Sequence, residues 1–283
     1  MVKTLSYQLL KKIRSKLLKQ FPVEADTISF QIVEHFSGYS RTDILIDKPF
    51  TTAPQFEKQI QNIIRRLIAN EPVQYILGKA YFYNRSFDVN TATLIPRQET
   101  EELIHLILND VKNQQNLTII DIGTGTGCIP ITLSLESVSH KFEGVDISNQ
   151  AIETATRNAL VLSAKVDFKT LNILDENLSD TYDVIISNPP YVLESEKPLL
   201  QKNVLDYEPS IALFVPDSTP LLFYKRITEL SKKSLKPNGK LYFEINEQFG
   251  NDVVELLKSN SYKHIVLHQD LNGKDRFVSG ILT

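Results

Sequence analysis

From Leu117 onward, short apolar segments alternate with helical ones, and that alternation leaves few architectures open. Leu117 to Ile122 reads as a strand, Cys128 to Leu135 as a helix and Phe142 to Ile147 as a strand. Ser148 to Val161 reads as a helix with Ser148 as N-cap, and Val166 to Thr170 and Tyr182 to Ser187 as further strands. A helix near 220 to 235, a turn at Pro237-Asn238-Gly239, a strand from Lys240 to Ile245 and a helix near 248 to 259 continue the series. Strands near 262 to 268 and 275 to 282, punctuated by Gly273, close it as an antiparallel hairpin. Strands linked through helices build a parallel sheet with helices over it, so the chain is expected to be α/β.

The first part of the chain has a different period. Leu5, Leu9, Ile13, Leu17 and Leu18 form one helical stripe, and helices are expected near 24 to 37 and 54 to 70, separated by Pro22, Gly38, Pro49, Pro54 and Pro72. Gly78 to Pro96 changes to rough alternation, with Tyr81, Phe82, Tyr83 and Phe87 around a turn candidate at Asn84-Arg85, which predicts a β-hairpin. Helical spacing resumes from Arg97 to Lys112. The expected organisation is a helical bundle over 1–77, a hairpin linker over 78–96 and an α/β domain over 97–283.

Composition narrows the partners. The 283 residues carry a net charge of -3, with 11 basic against 7 acidic residues over 1–77 and 20 against 27 over the remainder. Neither part has the basic bias of a protein that wraps a nucleic acid backbone, so no stable nucleic acid binding is expected. A modestly basic amino-terminal module could help dock a macromolecule, although a solvated helix face explains the same residues. No apolar run approaches the length that spans a membrane, and the amphipathic first stretch is expected to be a surface helix rather than a secretion signal. The single Cys128 fits a reducing compartment, so a cytoplasmic protein is expected.

Two stretches carry chemistry. In Ile119-Ile120-Asp121-Ile122-Gly123-Thr124-Gly125-Thr126-Gly127 a strand runs into glycines and then a helix, a turn where ligand can approach the backbone closely. Asp146 follows Gly127 by 19 residues, near the spacing at which an acid takes ribose hydroxyls. G-x-G-x-G differs from the dinucleotide pattern G-x-G-x-x-G, and there is no Gly-Lys-Ser/Thr of a phosphate loop. In Asp183-Val184-Ile185-Ile186-Ser187-Asn188-Pro189-Pro190-Tyr191, two prolines stop a buried strand, which leaves Asn188 at the carboxyl end where open α/β sheets bind ligands. An amide, a rigid carbonyl and an aromatic face could grip a planar amide or amine; a proline-rich exit loop with an ordinary packed tyrosine is the plainer reading.

D-x-G-x-G-x-G resembles the first motif of S-adenosylmethionine-dependent methyltransferases with a seven-stranded Rossmann-like sheet. The resemblance implies that the loop Gly123, Thr124, Gly125, Thr126 and Gly127 lies against the methionine part of the cofactor, that Asp146 holds the ribose, and that Asp121 lies near the methionine ammonium, with a loop-ordering carboxylate as the other reading. S-adenosyl-L-homocysteine would be the product. Asn188-Pro189-Pro190-Tyr191 resembles the motif of methyltransferases acting on planar nitrogens, which implies that Asn188 and the Pro189 carbonyl accept the N–H hydrogens and Tyr191 stacks on the acceptor. That motif is shared between adenine, guanine and protein glutamine methyltransferases. Glu71 to Gly78, Thr93 to Glu101, Tyr207-Glu208-Pro209 and Asn272 to Arg276 together resemble the peptide chain release factor glutamine methyltransferases, the HemK/PrmC family. This implies methyl transfer to the glutamine amide nitrogen in the Gly-Gly-Gln motif of class I release factors; an N(6)-adenine nucleic acid methyltransferase is the alternative. Gln98 replaces the family's usual proline, and Ile173 stands where some members put an aromatic residue on the adenine, so adenine packing is expected on Ile173. Arg97 and Glu101 either order the mouth of the site or link helix to hairpin.

Overall fold

The computed structural model describes residues 2–283, and its largest element is a seven-stranded sheet. In chain order its strands are β1 (Thr118–Ile122), β2 (Lys141–Asp146), β3 (Asp167–Thr170), β4 (Tyr182–Ser187), β5 (Leu235–Glu244), β6 (Tyr262–Gln269) and β7 (Asp275–Leu282). Side by side they run β3, β2, β1, β4, β5, β7, β6, with β7 antiparallel to both neighbours and all other pairings parallel. The α/β fold, the parallel sheet and the closing hairpin are those that the alternation predicts.

Helices α1 (Glu99–Val111), α2 (Cys128–Glu136), α3 (Asn149–Leu162), α4 (Leu222–Ser234) and α5 (Gly250–Lys258) cover the sheet. Successive strand residues enter two different cores, as the two-residue period requires. Ile119, Val184 and Ile186 pack with Leu103 and Ile107 of α1 and Ile131 of α2. Ile120 and Ile185 pack with Ile227 of α4 and Val253 and Leu257 of α5. Burial on both faces explains why these strands read as continuous apolar runs. Ser148 caps α3 as expected, its hydroxyl accepting from the Ala151 N–H at 3.2 Å.

Chain connectivity reverses between β1 and β4: β2 and β3 lie to one side, β4 and β5 to the other. In such sheets the crevice at the strands' carboxyl ends is the place for ligand. Here the ends are level, because Ile122 and Phe243 both pair with Ser187. Asn188 and Glu244, each one residue further on, are thereby brought to the same height.

The chain forms two compact units, one of residues up to Gly78 with Lys202–Tyr207, the other of Lys79–Gln201 with Glu208–Thr283. Within the first, helices Ser6–Leu17, Ala25–Ser37 and Phe56–Ile68 surround a core that includes Ile13, Leu17, Ile32, Val33, Ile60 and Leu67. The expected stripe is shifted: Leu10 is buried, whereas Leu5 and Leu18 are exposed. Leu5 ends a strand, Val2–Leu5, which pairs antiparallel with Pro49–Thr52. Pro49 is tolerated there as the first residue of its strand.

Two turns differ from the sequence expectation. In the hairpin of Lys79–Phe82 with Arg85–Asp88, Phe82 pairs with Arg85, so the turn is Tyr83-Asn84, one residue earlier than expected. Both turn residues have positive φ, 48° and 58°, as a two-residue type I′ connection demands. Pro237-Asn238-Gly239 is a bulge inside β5: from Leu235 to Lys240 the chain advances five residues while its partner advances two, from Tyr182 to Val184.

Gly127 shows how tightly the sheet and helices meet. Its φ is +76°, and a Cβ there would stand 2.9 Å from Ile131 Cδ1 and Phe168 Cζ and 3.0 Å from Ala155 Cβ. Gly127→Ala should therefore combine left-handed backbone strain with overpacking and cost roughly 2–4 kcal/mol, read as a lowered urea midpoint. An unchanged midpoint would contradict this packing.

Candidate active site

The cleft at the carboxyl ends of β1, β2 and β4 is lined by Gly123 to Thr126, Asp146, Ile173 and Ser187 to Pro190, with Arg97 and Ile211 also contributing. The expected cofactor and acceptor stretches thus meet in one cavity. Gly123 and Gly125 have φ of +77° and +53°, and no atom lies within 4 Å of where a Cβ would stand on either. Their missing side chains leave room for ligand, whereas that of Gly127 is filled by protein. Gly127 lies behind the lining as a packing residue.

Asp146 shapes the loop directly. Its Oδ2 accepts from the Gly125 N–H at 2.9 Å and its Oδ1 from the Ser148 N–H at 2.9 Å. Burial holds its carboxyl above the usual range. Each oxygen retains a second lone pair, so loop ordering is compatible with accepting ribose hydroxyls. Ile173, 8% exposed, lies in the wall expected to face adenine. An open glycine cradle with an acid and an apolar wall beside it fits S-adenosylmethionine.

Asp121 lies under the loop, 1% exposed, and neither carboxylate oxygen has a hydrogen-bond partner. Burial pushes this carboxyl up to about 7, reinforced by Asp146, against the lowering influence of the nearby Thr124 hydroxyl. That hydroxyl forms no hydrogen bond of ordinary geometry with it. A buried carboxyl without a donor is costly once ionised, which suits it to a cationic neighbour such as an ammonium.

Asn188 reaches into a polar chain that sequence reasoning missed. Its Nδ2 donates to Thr100 Oγ1 at 3.4 Å, and Thr100 Oγ1 donates to Glu244 Oε2 at 2.7 Å. The Tyr191 hydroxyl donates to the other Glu244 oxygen at 3.4 Å. Tyr191 is not among the cleft-lining residues: its ring packs against the core containing Tyr224 and Ile245, which draws it away from the stacking position expected of it. Burial, helped by the Glu244 charge, raises its phenol, so the hydroxyl keeps its proton. Glu244, 1% exposed, is pushed by burial up to about 7. A glutamate inside Leu241-Tyr242-Phe243-Glu244-Ile245, an otherwise apolar strand end, is the signal that could have revealed it.

Arg97 and Glu101 have separate partners. Arg97 pairs at 2.7 Å with Glu208, whose side chain is 2% exposed and whose other oxygen accepts from the Ile95 N–H at 3.3 Å. Glu101 accepts from the Tyr83 N–H at 2.9 Å and so ties α1 to the hairpin. Cys128 lines the cleft, but burial pushes its thiol up to about 12, which leaves it without thiolate reactivity.

The two buried carboxyls set a pH dependence. Asp121 and Glu244 bind protons more tightly folded than unfolded, so their contribution is fully present below the ordinary values of 3.8 and 4.5 and is lost as pH rises toward about 7. Asp121→Asn should therefore gain Tm relative to the parent as pH rises from about 4 to 7. A difference in Tm independent of pH across that interval would contradict the burial of an unpaired carboxyl.

The "Methyltransferase small domain" family matches residues 97–206 and the "PrmC N-terminal domain" family residues 8–78. The release factor glutamine methyltransferase of Bacteroides thetaiotaomicron is 42% identical over 260 residues, covering 91% of this chain and 93% of its own. That of Flavobacterium psychrophilum is 40% identical over 259 residues, covering 90% and 91%. Among solved structures, the hMettl16 catalytic domain in complex with a MAT2A 3'UTR hairpin matches with a TM-score of 0.57 at 15% identity, covering 77% of this chain and 91% of that one. A methyltransferase from Pyrococcus furiosus matches with a TM-score of 0.51 at 15% identity, covering 78% and 98%. The two structures share the fold, while the identity to the two enzymes extends over nearly the whole chain. Motifs, cleft and sequence relationship together make this chain a member of the release factor glutamine methyltransferase family.

Proposed function

We propose that the protein transfers a methyl group from S-adenosylmethionine to the side-chain amide nitrogen of a release factor glutamine, namely that of the Gly-Gly-Gln motif of class I factors. The observation that carries this reading is Asn188 at the level end of β4, in one cleft with the open Gly123 and Gly125 backbone. The substrate follows from the relatives, which are named release factor glutamine methyltransferases. This reading assigns the protein to the cytoplasm, where its substrate acts in translation. Among the described residues no helix is long and apolar enough to cross a membrane. The bundle, which matches the PrmC N-terminal domain, is assigned to docking the release factor.

The cofactor, when bound, supplies a methyl carbon activated by positive sulfur. Gly123 and Gly125 would present bare backbone to its methionine part, Asp121 would offer negative charge to the ammonium, and Asp146 and Ile173 would hold ribose and adenine. A glutamine amide is a poor nucleophile because its nitrogen lone pair is delocalised into the carbonyl. Asn188 Oδ1 and the Pro189 carbonyl are acceptors suited to its two N–H hydrogens, favouring a nitrogen with more localised electron density. Pro189 and Pro190 restrict the backbone, so that these acceptors need little rearrangement during reaction. One of the two amide N–H protons passes to solvent as nitrogen gains the methyl group, and catalysis rests mainly on orientation and preorganised dipoles.

The direct test offers radiolabelled cofactor and purified protein a release factor, the same factor with its Gly-Gly-Gln glutamine replaced, and total RNA and DNA. Label should enter only the first; label on nucleic acid alone would sink the assignment. Asn188→Ala should lower kcat roughly 10²- to 10³-fold while cofactor affinity changes little. Equal loss of binding and turnover would move Asn188 out of the acceptor role.

A further inference from the structure

The chain from Asn188 to Glu244 runs through a single hydroxyl, and a hydroxyl has one proton to give. Thr100 is 3% exposed and Glu244 1%, so water does not easily replace either partner. Thr100 Oγ1 donates to Glu244 Oε2 at 2.7 Å, the shortest link of the chain, and once Glu244 is ionised its carboxylate can only accept. With Glu244 ionised the threonine proton is committed to it, and lone pairs remain on the side facing Asn188. Only the NH₂ end of the Asn188 amide can answer them, as the 3.4 Å contact from Nδ2 has it. The amide is planar, so placing nitrogen toward Thr100 turns Oδ1 the other way.

This orientation matters because the two ends of an asparagine amide are nearly equal in shape and opposite in hydrogen bonding. Oδ1 toward the acceptor takes an N–H hydrogen; Nδ2 there would set donor against donor. We propose that Glu244, acting through the Thr100 hydroxyl, is the positioning residue that decides which end of the Asn188 amide faces the acceptor nitrogen. The inference rests on the methyl-transfer reading above and adds to it a residue 56 positions beyond Asn188 in the sequence.

Glu244 is itself held by several groups. Its backbone carbonyl accepts from the Tyr224 hydroxyl at 3.2 Å, and Tyr191, whose hydroxyl donates to Oε1, has its own carbonyl bonded by Asn246 Nδ2 at 3.3 Å. The Tyr191 bond gives Glu244→Gln a defined outcome. A glutamine keeps its carbonyl oxygen toward Tyr191 and turns its NH₂ toward Thr100, which reverses the direction of the chain. The threonine proton is then free to point at Asn188 and stabilise the wrong end of the amide. Thr100→Val instead removes the relay and leaves the amide unbiased, while Thr100→Ser preserves it.

The experiment is a double-mutant cycle of Thr100→Val and Glu244→Gln, with Thr100→Ser as rescue, measured as kcat and KM on a release factor at saturating S-adenosylmethionine. Cofactor affinity and urea midpoints on the same preparations report whether each variant is folded. Both single variants should lose roughly 10- to 100-fold in kcat, with KM and cofactor affinity near the parent values. The double variant should be no worse than the poorer single one, because both changes break one relay. Thr100→Ser should restore most of the parental kcat.

Multiplying effects in the double variant, failure of Thr100→Ser to restore turnover, or a parental kcat for Glu244→Gln would each overturn the proposal. So would losses confined to KM or cofactor affinity. A parent enzyme that leaves the release factor unmodified would overturn the functional reading itself, a result separate from any comparison among variants.

Discussion

The level endings of β1, β4 and β5 are the constraint on which the site depends. Ile122, Ser187 and Phe243 lie in register, so each next residue enters the cleft or its floor at a common height. Pairing alone would let β4 run past its neighbours. Pro189 and Pro190 prevent that, since neither offers an N–H to extend a ladder. The Ser187 hydroxyl reinforces the stop from the side, donating to the Ile122 carbonyl at 2.7 Å. Asn188 is thus fixed by backbone geometry before its side chain makes any contact.

Charge in this site is distributed by depth. Asp146 is near the cleft and has backbone N–H donors on both oxygens, so its carboxylate orders the loop. Asp121 and Glu244 lie deeper, one without partners and the other serving two hydroxyls. Buried carboxyls of this kind weaken a fold unless something compensates them. The enzyme keeps two in the same sheet, on strands separated by β4, one under the glycine loop and one at the end of the polar chain that begins at Asn188. Such groups lower stability where they stand, a cost that natural proteins carry chiefly where activity requires it.

Much of this was legible because the relevant signals are local. Strand and helix periods lie within ten or fifteen residues, and the glycine loop, Ser148 and the two prolines declare their geometry through their own backbone chemistry. The Tyr83-Asn84 turn was misplaced by one residue because tyrosine is a poor advertisement for positive φ. Val2–Leu5 was missed because its partner, Pro49–Thr52, lies more than forty residues away and begins with a residue that usually interrupts strands. The roles of Glu208 and Glu244 were hidden for a related reason. Each depends on a side chain over a hundred residues distant, Arg97 for one and Thr100 for the other, and no short-range pattern records such a meeting.

The segment after Asn188 returns to its own beginning. Val192–Leu193 lies parallel to Phe214–Val215, so the twenty residues from 194 to 213 leave and re-enter through a two-residue stem. Within them Glu208 is secured to Arg97, and Ile211 reaches the cleft wall. With both ends of the segment tied side by side, a change in its length costs little extra closure entropy. Length in this segment is thereby separated from the register of the sheet, which the pairings of β1, β4 and β5 set on their own.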